Sequence, residues 1–160
     1  MNTRSNEPTI TSYAQAPTKT ITAGGVTYAY RELGPKGGIP VVFFVHLAAT
    51  LDNWDPRLID PIAENRHVIT FDQQGVGAST GKVPDTIEVA ADDAFTFISA
   101  VGHTTIDVFA FSMGGMIAQD LVMAHPNSSV DSCSRELDRA EERIWTRSSR
   151  PPTGTSSVPP

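Results

Sequence analysis

Ser112 is the residue of this chain best placed to do chemistry. It lies in Phe111-Ser112-Met113-Gly114-Gly115, where the apolar run Thr105 to Phe111 gives way to a second apolar segment, Met113 to His125. The first run reads as a buried strand and the second as a buried helix, so Ser112 falls on a sharp strand-to-helix turn. Its hydroxyl then stands above the carboxyl edge of a sheet, and Met113 N–H points out of a helix N-terminus, where negative charge is favoured. That is a nucleophile with half an oxyanion hole, the apparatus for attack on an acyl carbonyl. The turn needs small residues two positions before and two after the Ser, because strand and helix almost touch there. Here they are Ala110 and Gly114, the first adding one methyl to the glycine of the strict pattern.

Other chemistries are excluded by composition. The 160 residues carry 12 Lys and Arg against 18 Asp and Glu, with a net charge of -6 and no basic block, which argues against nucleic acid as a partner. A single Cys, Cys133, permits no internal disulfide, and no CxxC, HExxH or close His pair offers metal ligands, so neither a metal nor a cofactor is expected. Gly75-Val-Gly77 fails as a dinucleotide fingerprint, since the next helix starts only near Thr86. The longest apolar run, Val41 to Val45, falls far short of the roughly 20 residues that span a bilayer, and the first 20 residues lack a signal pattern. A cytoplasmic address and no membrane partner follow as expectations.

The elements that must position Ser112 alternate along the chain. Thr18 to Thr22 and Val26 to Leu33 are β-leaning runs joined by Gly24-Gly25, a hairpin signal. Pro40 to His46, Arg66 to Asp72 and Thr105 to Phe111 are continuous apolar runs, the mark of strands covered on both faces in a parallel sheet. Helices are predicted between and after them: Asp55 to Asn65, broken by Pro61; Thr86 to Val101, opened by an Asp85/Glu88 capping box and stopped by Gly102; and Met113 to His125. In the second, Ile87, Ala91, Ala94, Phe95, Ile98 and Val101 form one stripe. A hairpin followed by three βα units is a three-layer α/β fold.

Taken with its surroundings, the Ser112 turn resembles the α/β-hydrolase superfamily over about Gly25 to Pro126. Three motifs carry the resemblance in the family's order. After the first buried strand, His46-Leu47-Ala48 stands where relatives carry His-Gly and a third residue whose N–H completes the oxyanion hole; the resemblance implies Ala48 as second donor, with Leu47 as the other choice. After the next strand, Asp72 to Ser79 (DQQGVGAS) looks like the family's D-x-R-G-x-G-x-S loop with Gln74 in the Arg place. Asp72, Gly75 and Gly77 read as scaffolding of that loop and His46 as a structural loop residue. The Ser112 turn follows. Its FSMGGM flavour looks like the esterase, lactonase and cofactor-free haloperoxidase branch, which implies a small-molecule ester, lactone or related acyl substrate.

The family's order places an acid and a His after the Ser, and neither is evident. His125 is about 18 Å along the same helix, while His67 opens its strand and His103 precedes the next, both at the opposite edge. The carboxylates Asp131, Glu136, Asp138, Glu141 and Glu142 fall in a segment of different composition. Residues 1–126 account for the whole net charge, whereas the last 34 hold 5 basic and 5 acidic residues, 8 Ser and 4 Pro. The sequence therefore predicts a flexible segment 1–17, a partial α/β-hydrolase domain 18–126 and a low-complexity tail 127–160 with at most a short helix bearing Leu137, Ala140 and Ile144. A hydrolase truncated near Pro126, with a frame-shifted or fused tail, accounts for this pattern. It would be catalytically incomplete, and the strand before Ser112 would form an exposed, self-associating sheet edge. The alternatives are a non-catalytic binding or interaction domain and a fragment completed by a second chain.

Overall fold

The computed structural model describes residues 12–125 in full and, beyond them, the backbone of two further strands, Ser129–Ser134 and Trp145–Thr146. Gly24 and Gly25 both take positive φ, 57° and 82°. That two-residue turn follows the natural twist of a hairpin and fixes the register of β1 (Lys19–Ala23) on β2 (Val26–Leu33), from Ala23 opposite Val26 to Lys19 opposite Tyr30.

The three continuous apolar runs become β3 (Val41–Phe44), β4 (Val68–Phe71) and β5 (Thr105–Ala110). Every residue of β3 and β4 is buried, as strands covered on both faces require. β3 lies parallel between β4 and β5, and β2 closes antiparallel on β4. With β6 (Ser129–Ser134) and β7 (Trp145–Thr146) the sheet order is β1-β2-β4-β3-β5-β6-β7.

Helix α1 (Pro56–Ala63) starts where Asp55 accepts from Arg57 N at 2.9 Å, and Pro61 stands inside it without ending it. Helix α2 (Ile87–Ala100) is capped by Thr86, whose Oγ1 accepts from Val89 N at 3.3 Å. This corrects the expected Asp85/Glu88 box; Asp85 instead pairs with Lys82. Helix α3 (Met113–Ala124) follows Ser112 directly.

The layers separate cleanly. One face of the sheet packs Val42, Phe44, Ile69, Phe71, Val108 and Ala110 against α2 and α3. The other packs Val41, Phe43 and Val68 against Ile59 and Ala63 of α1. Phe97, absent from the stripe read off the sequence, is fully buried and stacks on Phe71 at 4.4 Å between centroids. Helix α3 is not buried all round: Gly114, Ile117, Ala118 and Leu121 face inward, while Met116 and Met123 are exposed.

Two boundary expectations are corrected. The ordered chain begins before residue 18, because Tyr13 is buried and its hydroxyl reaches Leu51 O and Thr70 Oγ1, while Ser12 Oγ donates to Asp60 at 2.8 Å. At the far end β5 is not an edge. β6 pairs parallel with it along its whole length, from Thr105 opposite Ser129 to Ala110 opposite Ser134, and β7 pairs antiparallel with β6. The self-association argument built on a bare β5 edge therefore loses its premise. The serine-rich sequence of β6 hid the strand, because parallel backbone pairing needs N–H and C=O groups, not an apolar run. The expected helix around Leu137, Ala140 and Ile144 lies outside the described residues.

Candidate active site

Strand β5 ends at Ala110 and α3 begins at Met113, which leaves two residues to reverse the chain. Ser112 carries the cost, with φ 54° and ψ -122°, a conformation side chains rarely adopt and one that costs about 1–3 kcal/mol. A serine that merely caps a helix takes extended φ/ψ and accepts a backbone N–H on its hydroxyl. Ser112 does neither: it is exposed, and its side chain makes no cap hydrogen bond.

The turn is held from below. Phe111 N donates to Phe44 O at 3.0 Å, Gly114 N to Phe111 O at 3.1 Å and Gly115 N to Ser112 O at 2.8 Å. Gly114 sits against the end of β3 so closely that a Cβ would stand 2.4 Å from Phe44 O. The requirement for a small residue two positions after the Ser is thus a backbone contact. Ala110, two before, is buried in the core under α3, so its methyl is accommodated.

Beside this turn β3 runs out into His46-Leu47-Ala48. Among the described residues Ala48 is the other non-glycine residue at positive φ, 60°. Ala49 N closes the loop on His46 O at 3.2 Å, and His46 Nδ1 lies 3.0 Å from Leu47 O. The His46 ring stands edge-on to Phe111 at 5.4 Å, which joins the loop to the Ser112 turn. Leu47 and Ala48 are exposed. Neither Met113 N–H nor Ala48 N–H has a hydrogen-bond acceptor among the described residues.

The loop is fastened from a distance by Asp72, which is buried. Its carboxylate accepts from Leu51 N at 2.7 Å and from Ala78 N at 2.9 Å, so one side chain ties the segment after Ala48 to the turn after β4. Ser79 Oγ completes the tie, donating to Asp72 O and accepting from Ala29 N. Gly77 passes so near that a Cβ would meet Asp72 Oδ2 at 2.2 Å. Gln74, in the position of the family's Arg, donates to Lys82 O at 3.2 Å. Sequence spacing exposes the loop motif but not its contact with Leu51, 21 positions away.

The remaining histidines are held elsewhere. His67 is buried and pairs through Nε2 with Glu32 at 2.9 Å, at the amino edge of the parallel strands. Burial would raise the Glu32 carboxyl, but hydrogen bonds from Lys19, Lys36 and His67 outweigh it and hold the group at about 2. His103 packs edge-on to His67, and burial together with the charges of His67 and Lys36 pushes its pKa down. His125, at the far end of α3, stacks flat on Phe95 with centroids 3.7 Å apart. Sequence reasoning missed the cavity on the α1 side of the turn, about 280 Å³ and lined by Val45, His46, Trp54, Leu58, Phe109 and Phe111 among others. Its walls come from three segments, which no local pattern links.

Comparison with known proteins agrees with this fold. Residues 39–134 match the alpha/beta hydrolase fold family. The chain is 32% identical over 114 residues to a non-heme chloroperoxidase of Streptomyces lividans, a match covering 66% of this chain and 39% of the relative. It is 30% identical to the bifunctional esterase/perhydrolase DCH of Acinetobacter calcoaceticus, over 68% of this chain and 40% of that protein. Among solved structures, an alpha/beta hydrolase fold protein from Chitinophaga pinensis superposes with a TM-score of 0.73 at 40% identity, covering 76% of this chain and 44% of that one. The chain spans less than half the length of these relatives. Among the described residues no helix is long and apolar enough to cross a membrane.

Proposed function

The chain belongs to the α/β-hydrolase fold family, and from that premise we propose that its site performs acyl transfer on an ester, lactone or related small acyl substrate with Ser112 as nucleophile. The observation that carries the reading is the strained, exposed Ser112 whose hydroxyl does not cap its own helix. Strain of this kind persists only where the surroundings enforce it. Supporting the reading, Ser112 is exposed and neither Met113 N–H nor Ala48 N–H has an acceptor among the described residues.

In the proposed reaction Ser112 Oγ attacks the carbonyl carbon and its proton passes to a base. The carbonyl oxygen, now an oxyanion, accepts from Met113 N–H and Ala48 N–H, with the positive end of α3 behind the first. The alcohol leaves with a proton, and water then releases the acid from the acyl-serine. The relatives support this substrate class, since one is named an esterase/perhydrolase.

The base and its orienting acid are not among the described residues in this reading. His67, His103 and His125 are engaged away from Ser112, and His46 belongs to the oxyanion loop. The chain by itself is therefore a slow catalyst, limited to the roughly 10³ to 10⁴ over water that oxyanion binding alone supplies. The test is labelling by a fluorophosphonate probe together with hydrolysis of p-nitrophenyl acetate, for the wild type and Ser112→Ala. Wild type should label and the variant should not. Equal labelling or equal turnover in the two proteins rules Ser112 out.

A further inference from the structure

The cavity beside Ser112 touches the site at two points, His46 of the oxyanion loop and Phe111, the residue before the nucleophile. Its other walls are apolar: Val45, Trp54, Leu58 and Phe109. Trp54 is fixed edge-on to Phe43 at 5.1 Å and to Phe109 at 5.8 Å, and α1 presents Leu58 from above the sheet. Two of the polar groups that border it are already engaged. Asn53 Oδ1 accepts from Thr50 N at 2.8 Å, and the Asp55 carboxylate is paired with Arg57 at 2.6 Å. Trp54 Nε1 is buried and has no hydrogen-bond partner among the described residues, while the ring carbons pack on Phe43 and Phe109.

A concave space walled mostly by hydrocarbon selects against charge and binds by burial of hydrocarbon. An apolar cavity of about 150 Å³ holds the six carbons of benzene, so the 280 Å³ here corresponds by proportion to roughly ten carbon atoms. We infer that this cavity binds the neutral, apolar group of the substrate, a hydrocarbon chain or ring of about that size, and that Trp54, Leu58 and Phe109 set its length. The inference rests on Ser112 being the reacting centre only for the word substrate; the binding itself needs no chemistry.

Trp54 makes the cavity readable, since the chain has two Trp residues. With Trp145→Phe in place, Trp54 fluorescence reports on the cavity in a titration with straight-chain alcohols of two to twelve carbons. Each added methylene should tighten binding about fourfold until the cavity is full at roughly ten carbons, after which affinity levels off. Leu58→Ala moves the plateau to longer chains, and Leu58→Phe moves it to shorter ones. Alkyl sulfates of equal length should bind at least tenfold more weakly than the alcohols. A response that does not saturate, does not depend on chain length, or ignores both Leu58 substitutions overturns the assignment. The two readings fail separately: loss of the titration with intact Ser112 labelling refutes the cavity, and intact titration with no labelling refutes the nucleophile.

Discussion

Gly114→Ala tests how strand and helix are held around Ser112. A Cβ at 114 would stand 2.4 Å from Phe44 O and 2.7 Å from Phe44 C, whereas ordinary contact begins at 3.4 Å, so relief needs about 1.0 Å (3.4 − 2.4) of separation. The obstacle is backbone in a strand bonded on both sides, to β4 and β5, and it cannot rotate away. Overpacking of this kind costs about 1–3 kcal/mol, and a backbone obstacle sets it in the upper part of that range. At about 2–4 °C per kcal/mol for a chain of this length, the melting temperature should fall by roughly 4–12 °C. The same displacement parts Met113 N from Ala48 N, the two proposed oxyanion donors, and an error of about 1 Å in such a constellation is worth about 100-fold in rate. Thermal melting by circular dichroism and the rate of fluorophosphonate labelling read the two effects on one preparation. Gly38→Ala, where a Cβ meets nothing within 4 Å, is the control and should melt with the wild type. If Gly114→Ala also melts with the wild type and labels at the same rate, close approach to Phe44 is not what shapes the turn.

Other consequences can be measured on the same material. Ser112→Gly relieves a positive φ and should raise stability by about 1 kcal/mol in urea unfolding while abolishing labelling; a loss of stability would show that the residue is not strained. Asp72→Ala leaves Leu51 N and Ala78 N without their acceptor and should cost about 2–4 kcal/mol in the same assay, with a slower-labelling Ser112 because the oxyanion loop is freed. Glu32 titrates at about 2 in the folded chain against 4.5 unfolded, so the folded state binds fewer protons between those values. Its stabilising contribution is complete above about pH 5 and is lost as pH falls toward 2. Acid titration followed by circular dichroism should show that limb, and Glu32→Gln should flatten it.

Much of the fold was legible because burial on both faces leaves an unmistakable signature. Val41–Phe44 and Val68–Phe71 are continuous apolar runs, and each became a central strand within two residues of the predicted ends. Gly24-Gly25 announced the hairpin through the positive φ that its turn demands. The Asp85/Glu88 cap failed because two plausible N-caps stand side by side, and only the way the chain enters α2 chose Thr86. β6 failed for a deeper reason. A strand held by pairing to β5 need not be apolar, so hydropathy and serine content said nothing of it.

The site divides along the same line. Residue types and order alone determined that Ser112 stands between a buried strand and a buried helix, that Gly114 must be small, and that His46-Leu47-Ala48 and Asp72 to Ser79 end the neighbouring strands, because these follow from local pattern. Tertiary structure decided what the pattern cannot encode: that Phe44 O is the atom Gly114 must clear, that Asp72 reaches Leu51 to hold the loop after β3, and that His67 is occupied by Glu32. It also decided that Trp54, Leu58 and Phe109 meet beside the turn that carries Ser112. Each of these is a contact between segments far apart in the chain, and a contact of that kind exists only once the sheet order has brought the strand ends together.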